Sequence, residues 1–135
     1  MTWEPRPAPV VTPESEPYWT GGLNGDLRIQ RCTDCDLVYV YPRAHCPDCL
    51  GDHVEWVEAS GRGTVYSYTV AHQVAGWPDD DLPLVSAYVE LDEGPRLMTN
   101  LVDCDPDDVA VGIAVEVRFE QSEDGEFAVP VFTPV

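Results

Sequence analysis

The chain has 135 residues, room for one ordinary domain or two small ones. Acidic side chains number 25 against 7 basic ones, all seven of them arginine, and a net charge of −18 sets up a field that repels nucleic-acid phosphates. No run is long and apolar enough to cross a bilayer, and no charged start followed by an apolar stretch marks a secreted chain, so the expected setting is a cytoplasm.

Residues 1–12 are proline-rich (Pro5, Pro7, Pro9) and carry no periodicity. They read as an extended arm, ordered only where something binds it. Thr12-Pro13-Glu14 has the form of a helix start: a hydroxyl cap, proline at the first helical position and an acid in the first turn. Pro17 and then Gly21-Gly22 are expected to keep that helix short. It carries Tyr18, Trp19 and Leu23, large apolar groups that either pack on the chain itself or dock on another protein.

Alternation of Leu27 and Ile29 with Arg28 and Gln30 predicts a strand over 26–31, with its return over Val38–Tyr41. Between and beyond them lie Cys32-Thr-Asp-Cys35 and Cys46-Pro-Asp-Cys49. Each Cys-x-x-Cys turn aims two sulfurs at one point, and two such turns supply the four thiolates that zinc takes in closed structural sites. Disulfides would need an oxidising compartment. A redox Cys-x-x-Cys opens a helix after a strand, whereas Pro47 and its neighbours read as hairpin. The expectation is one zinc held by Cys32, Cys35, Cys46 and Cys49, with no open position for chemistry. His45 and His53 could serve as spare ligands, but with four cysteines available they read as neighbours of the site or as exposed residues. Val54, Trp56 and Val57 make a third strand, and a ribbon this small buries too little to fold without its metal.

Ser60-Gly61-Arg62-Gly63 is a hinge in composition. Beyond it Thr64–Ala71 sets Val65, Ser67 and Thr69 against Tyr66, Tyr68 and Val70. A long connection, 72–83, holds Trp77 and the acidic run Asp79–Asp81. Leu84–Leu91 places Val85, Ala87, Val89 and Leu91 on one face, and Asp92-Glu93-Gly94-Pro95 is a tight turn. Strands follow over Arg96–Val102, Ala114–Glu120 and Phe127–Phe132, with a single helical turn from Asp105 to Gly112 before the second of these and a turn at Ser122–Gly125. Five closely spaced strands suit a small antiparallel barrel, the five-stranded OB fold. The chain is thus mainly β: an arm and short helix (1–25), a zinc ribbon (26–59) and an OB barrel (60–135). The fifth cysteine, Cys104, has no histidine or other base beside it in sequence.

Several stretches then match one family in register: Trp19-x-Gly-Gly-Leu, Gly25-Asp-Leu-x-Ile-Gln-Arg-Cys-x-x-Cys and Cys46-Pro-x-Cys, followed by Trp56 with Ser60-Gly-x-Gly-Thr-Val-Tyr-Ser-Tyr-Thr, Val89-Glu-Leu-Asp-Glu-Gly and Gly112-Ile-x-Val-Glu-Val-x-Phe. Over residues 13–133 the chain resembles the thiolase-associated zinc-ribbon/OB-fold family, formerly a domain of unknown function. The resemblance implies a rubredoxin-like ribbon and a non-catalytic subunit of a thiolase-fold enzyme, either an acetyl-CoA acetyltransferase or a steroid side-chain aldolase. It also implies a link in some relatives to hot-dog-fold enoyl-CoA hydratases. In such complexes the ribbon–barrel unit stabilises its partner or helps form the acyl-CoA channel, and the partner does the chemistry.

If coenzyme A touches this chain, its phosphates call for arginine. Arg43 and Arg62, near the ribbon–barrel junction, are the candidates; ordinary pairing with surface acid is the competing role. Tyr18, Trp19 and Trp77 are the candidates for docking. A stand-alone acyl-CoA-binding protein is one alternative. A single-stranded nucleic-acid binder using Tyr66, Tyr68 and Tyr88 as platforms is another, but seven arginines among 25 acids leave no basic stripe. The acidity itself fits either a salty cytoplasm, which screens self-repulsion, or a genome that favours arginine codons.

Overall fold

A computed structural model describes residues 6–135; the first five residues of the arm, Pro5 included, lie outside the described part. The helix α1 spans Glu16–Leu23. Its cap is Ser15 rather than Thr12, and Pro17, not Pro13, is the proline of its first turn. Thr12 instead opens a preceding turn, its carbonyl accepting the amides of Ser15 (3.0 Å) and Glu16 (2.9 Å). Gly21 and Gly22 do not stop the helix. They are buried within it, and a Cβ on Gly22 would sit 2.8 Å from the Ala128 carbonyl oxygen. Gly22 is there for close approach of two backbones, and Gly21 leaves room for the Arg28 side chain, whose Cδ would lie 2.7 Å from an added Cβ.

Three strands form the ribbon, β1 (Arg28–Cys32), β2 (Val38–Tyr39) and β3 (Val54–Glu58), in the order β2-β1-β3, all antiparallel. The return strand is shorter than its alternation predicts. After Tyr39 the chain peels off toward the barrel: Val40 enters the core, and the Tyr41 hydroxyl oxygen accepts the Met98 amide at 2.9 Å.

The remaining strands are β4 (Arg62–Ala71), β5 (Leu84–Leu91), β6 (Arg96–Leu101), β7 (Ala114–Gln121) and β8 (Ala128–Pro134). They close into a barrel in the order β4-β5-β6-β8-β7, the OB fold. One pairing differs from an all-antiparallel expectation: β6 meets β8 in parallel, at Leu101 and Phe132. Strands that alternate in direction cannot close a ring of five without one parallel neighbour. A bulge between Val65 and Ser67 also breaks the alternation expected of β4. Val65 points in; past the extra residue Tyr68 and Val70 pack inward and Tyr66 is left outside. The helical turn before β7 is a three-residue 3-10 turn, Pro106–Asp108, capped by the Asp105 carboxylate accepting from the Asp107 amide.

Leu27, Ile29 and Val40 of the ribbon share one continuous core with Val65, Val89, Leu97, Val115 and Phe132 of the barrel. The helix lies against β1, β7 and β8 and so ties the two parts together.

Candidate functional site

The two cysteine turns are built alike. In the first, the Cys32 amide donates to the Leu37 carbonyl (2.8 Å) and the Cys32 carbonyl accepts from the Asp36 amide (2.9 Å). In the second, the Cys46 amide donates to Gly51 (2.8 Å) and its carbonyl accepts from Leu50 (3.0 Å). The residue four beyond each leading cysteine takes a left-handed conformation, φ 65° at Asp36 and 63° at Leu50. For a leucine that conformation costs energy, which identifies the turn as a device for aiming sulfur.

The four Sγ atoms lie within 4.8 Å of one another, with Cys32 to Cys49 at 3.6 Å and Cys35 to Cys46 at 3.5 Å. A tetrahedron of sulfurs about zinc, with Zn–S near 2.3 Å, has edges of about 3.8 Å, so the donor set fits. Cys32 and Cys46 are buried, Cys35 and Cys49 exposed. Burial pushes the Cys46 thiol up, but the amides of Cys49 and Asp48 and the neighbouring thiols outweigh it and bring it down to about 7. The Asp48 amide reaches Cys46 Sγ at 3.4 Å. His53 faces the site from outside it: its Nδ1 lies 3.0 Å from Asp34 Oδ2, and its carbonyl accepts from the amide (2.8 Å) and hydroxyl (2.9 Å) of Thr33. His45 is exposed. Four thiolates fill a structural zinc's coordination, so this is a closed site.

Beyond the knuckles, Arg43 and Arg62 are exposed, and neither guanidinium has a carboxylate within 4 Å among the described residues. By contrast Arg28 pairs with Asp26, Arg31 with Asp36 and Glu55, Arg96 with Glu90 and Arg118 with Asp103. The Arg43 backbone is held at both ends: its amide donates to the buried Gln30 side chain (2.7 Å), and its carbonyl accepts from the Tyr39 hydroxyl (3.0 Å). The Arg62 carbonyl accepts the Asp92 amide at 2.9 Å. The structure thus fixes both backbones and leaves both cations open.

Tyr18 packs against the core, and burial, then Tyr41, pushes its phenol well above the ordinary value. Trp19, half-buried, meets Tyr18 and Phe127 edge to face, with centroids 5.1 and 6.3 Å away. Trp77, half-buried in the β4–β5 connection, carries the Arg6 guanidinium 5.2 Å from its ring. Arg6 also donates to the Asn100 side chain at 2.9 Å, so the arm is anchored by its own barrel, not only by an outside ligand. Sequence reasoning missed Tyr41, Met98 and Gln30. The alternation of β5 and β6 could have put Met98 on the outer face beside Tyr88; nothing local marks the reach of Tyr41. Cys104 is half-buried, and its thiol is raised by burial and then by Asp103, Asp105 and Asp108, the opposite of an activated nucleophile. No helix among the described residues is long and apolar enough to cross a membrane.

A four-cysteine ribbon fused to a five-stranded OB barrel defines the class. Residues 19–55 match the model of the ChsH2 rubredoxin-like zinc ribbon domain, and residues 56–120 that of the ChsH2 C-terminal OB-fold domain. A DUF35 domain-containing scaffold protein of Methanocaldococcus jannaschii is 40% identical over 98 residues, 71% of this chain and 70% of that protein. The chain belongs to this ChsH2/DUF35 family. A probable enoyl-CoA hydratase alpha subunit of Thermomonospora curvata is 39% identical over 129 residues, 96% of this chain. The chain spans only 40% of that protein's length. Among solved structures, a chain of the Ltp2–ChsH2(DUF35) aldolase superposes with a TM-score of 0.83 at 37% identity, covering 94% of this chain and 98% of that one.

Proposed function

We propose that this chain is a non-catalytic accessory subunit of an enzyme acting on an acyl-CoA, with a thiolase-like partner that is either an acetyl-CoA acetyltransferase or a steroid side-chain aldolase. The observation that carries this reading is the likeness, over 94% of this chain, to a chain of the Ltp2–ChsH2(DUF35) aldolase. The hydratase subunit name of the Thermomonospora relative keeps a hot-dog-fold hydratase as a second partner class. The scaffold name of the Methanocaldococcus relative agrees with a supporting role. In this reading the zinc holds the ribbon and performs no chemistry, and Arg43 and Arg62, with their unpaired guanidiniums, supply charge for the phosphates of coenzyme A at a site shared with the partner. Tyr18, Trp19 and Trp77, all half-buried, supply apolar surface for docking on that enzyme.

The test is reconstitution. The chain purified from its own cells should bring a thiolase-fold enzyme with it. Acyl-CoA cleavage should require that enzyme, and acyl-CoA binding by this chain should strengthen in its presence. Turnover by the isolated chain that survives repurification refutes the proposal.

A further inference from the structure

We propose that the outer face of the β4–β5–β6 sheet, with Tyr41 laid against its edge, is the surface that seats the enzyme subunit. This rests on the accessory-subunit reading and says where on the chain it acts.

Four large side chains are gathered there. Tyr88 and Met98 are direct partners across β5 and β6. Tyr66 faces outward next to the buried Val65, and the register shift after it puts Ser67 opposite Tyr88. Tyr41 arrives from the ribbon to accept the Met98 amide. They are 55% (Tyr41), 49% (Tyr66), 45% (Tyr88) and 61% (Met98) exposed. At ~150–250 Å² for each whole aromatic side chain, half of it showing, the patch is on the order of 400 Å². That is the size of the largest apolar patch on a typical monomer, a patch that is often functional. Tyrosine and methionine are also the residue types that interface centres favour. A groove of about 200 Å³ runs beside Ser67, Thr69, Ser86, Tyr88 and Met98 and gives the face relief.

Charge selects the occupant. The carboxylate on this face, Glu90, is held by Arg96 Nε at 2.9 Å, and the Arg96 guanidinium lies 3.6 Å from the centre of the Tyr66 ring. The face is therefore close to neutral on a chain of net charge −18, and covering it desolvates no lone carboxylate. A second copy would bring another −18 against the first, so self-pairing is opposed. A partner with an apolar patch rimmed by lysine and arginine is attracted by the same field. The coenzyme A candidate Arg43 follows Tyr41 by two residues in the chain.

The experiment uses the copurifying enzyme and the full chain. Tyr88→Glu and Met98→Glu replace exposed side chains and should keep zinc content and melting temperature. Each should weaken binding to the enzyme at least tenfold in calorimetric titration, while Val111→Glu, exposed on the β6–β7 connection, leaves it within twofold. The association rate of the wild-type chain should fall as salt rises. Wild-type affinity in both sheet variants overturns the inference and leaves the accessory-subunit reading standing. A wild-type chain that binds no enzyme overturns both. A wild-type dimer that Met98→Glu dissolves overturns the choice of occupant, and so does an association rate indifferent to salt.

Discussion

Replacing Cys46 with serine removes one of four zinc ligands and is expected to unsettle more than the ribbon. Structural zinc is worth ~10–16 kcal/mol in apparent terms, as much as the whole ~5–15 kcal/mol stability of a domain. The ribbon without its metal is therefore expected to open. Leu27, Ile29 and Val40 then leave the core they share with Val65, Val89 and Phe132. At ~1.5–3 kcal/mol for each buried aliphatic side chain, the barrel loses about 4–9 kcal/mol. For a chain of this size that corresponds to a fall in Tm on the order of 15 °C or more. The assay is zinc content by elemental analysis alongside thermal unfolding followed by far- and near-ultraviolet circular dichroism. Chelation of the wild-type chain should reproduce the variant, and Cys104→Ser, away from the metal, should keep its zinc and stay within about 5 °C. A full equivalent of zinc in Cys46→Ser refutes the ligand assignment. A zinc-free variant that melts with the wild type refutes the shared core.

Two further outcomes follow from single contacts. Gly63 lies between β5 and β7, paired with Leu91 and Val115, and a Cβ there would sit 2.4 Å from the Glu90 carbonyl oxygen and 2.9 Å from Val89 Cγ1. Gly63→Ala should cost ~1–3 kcal/mol or more in urea unfolding, and an unchanged midpoint would contradict the packing. In the zinc-loaded chain at pH 8, Ellman's reagent should find one thiol, Cys104, reacting several-fold more slowly than free cysteine; after chelation in denaturant it should find all five. Because the folded thiol sits above its ordinary value, its linked stability is complete below about pH 8.5 and declines as pH rises through the folded value. Rapid labelling of several thiols in the zinc-loaded chain would count against the closed site.

The metal site was legible because its chemistry is local: a Cys-x-x-Cys turn carries its sulfurs wherever the chain goes. The strand β5 was legible because Val85, Ala87, Val89 and Leu91 alternate without interruption and all four are buried. The β4 bulge was not, because one extra residue changes which side chains face inward without changing composition or propensity. Gly21-Gly22 marks a short helix, which α1 is, but the sequence does not show that Gly22 also admits the backbone of Ala128. The cap moved to Ser15 because Thr12 and Ser15 bond to each other first, with Oγ1 to Oγ at 3.1 Å. Tyr41 on Met98 and Arg6 on Trp77 join residues 57 and 71 positions apart, beyond the reach of any window of periodicity.

The acidity and the apolar face explain each other. A neutral protein with several exposed aromatics on one sheet would pair with itself or aggregate through them. Here the carboxylate on the face, Glu90, is paired with Arg96, and many others lie elsewhere: on the outer side of β7 at Glu116 and Glu120, along Asp79–Asp81, and from Asp103 to Asp108 around the 3-10 turn. Copies of this chain repel one another at the distances where association begins, so the face stays free without being covered. On the proposal above, the same charge would draw in a partner whose rim is basic and turn the near-neutral face toward it, because that is the side from which approach removes no unpaired carboxylate from water. The metal-clamped ribbon adds orientation to this, since it holds Tyr41 at the sheet edge and Arg43 two residues beyond. On that reading the chain would act through where it places a surface, and the chemistry would lie in what that surface seats.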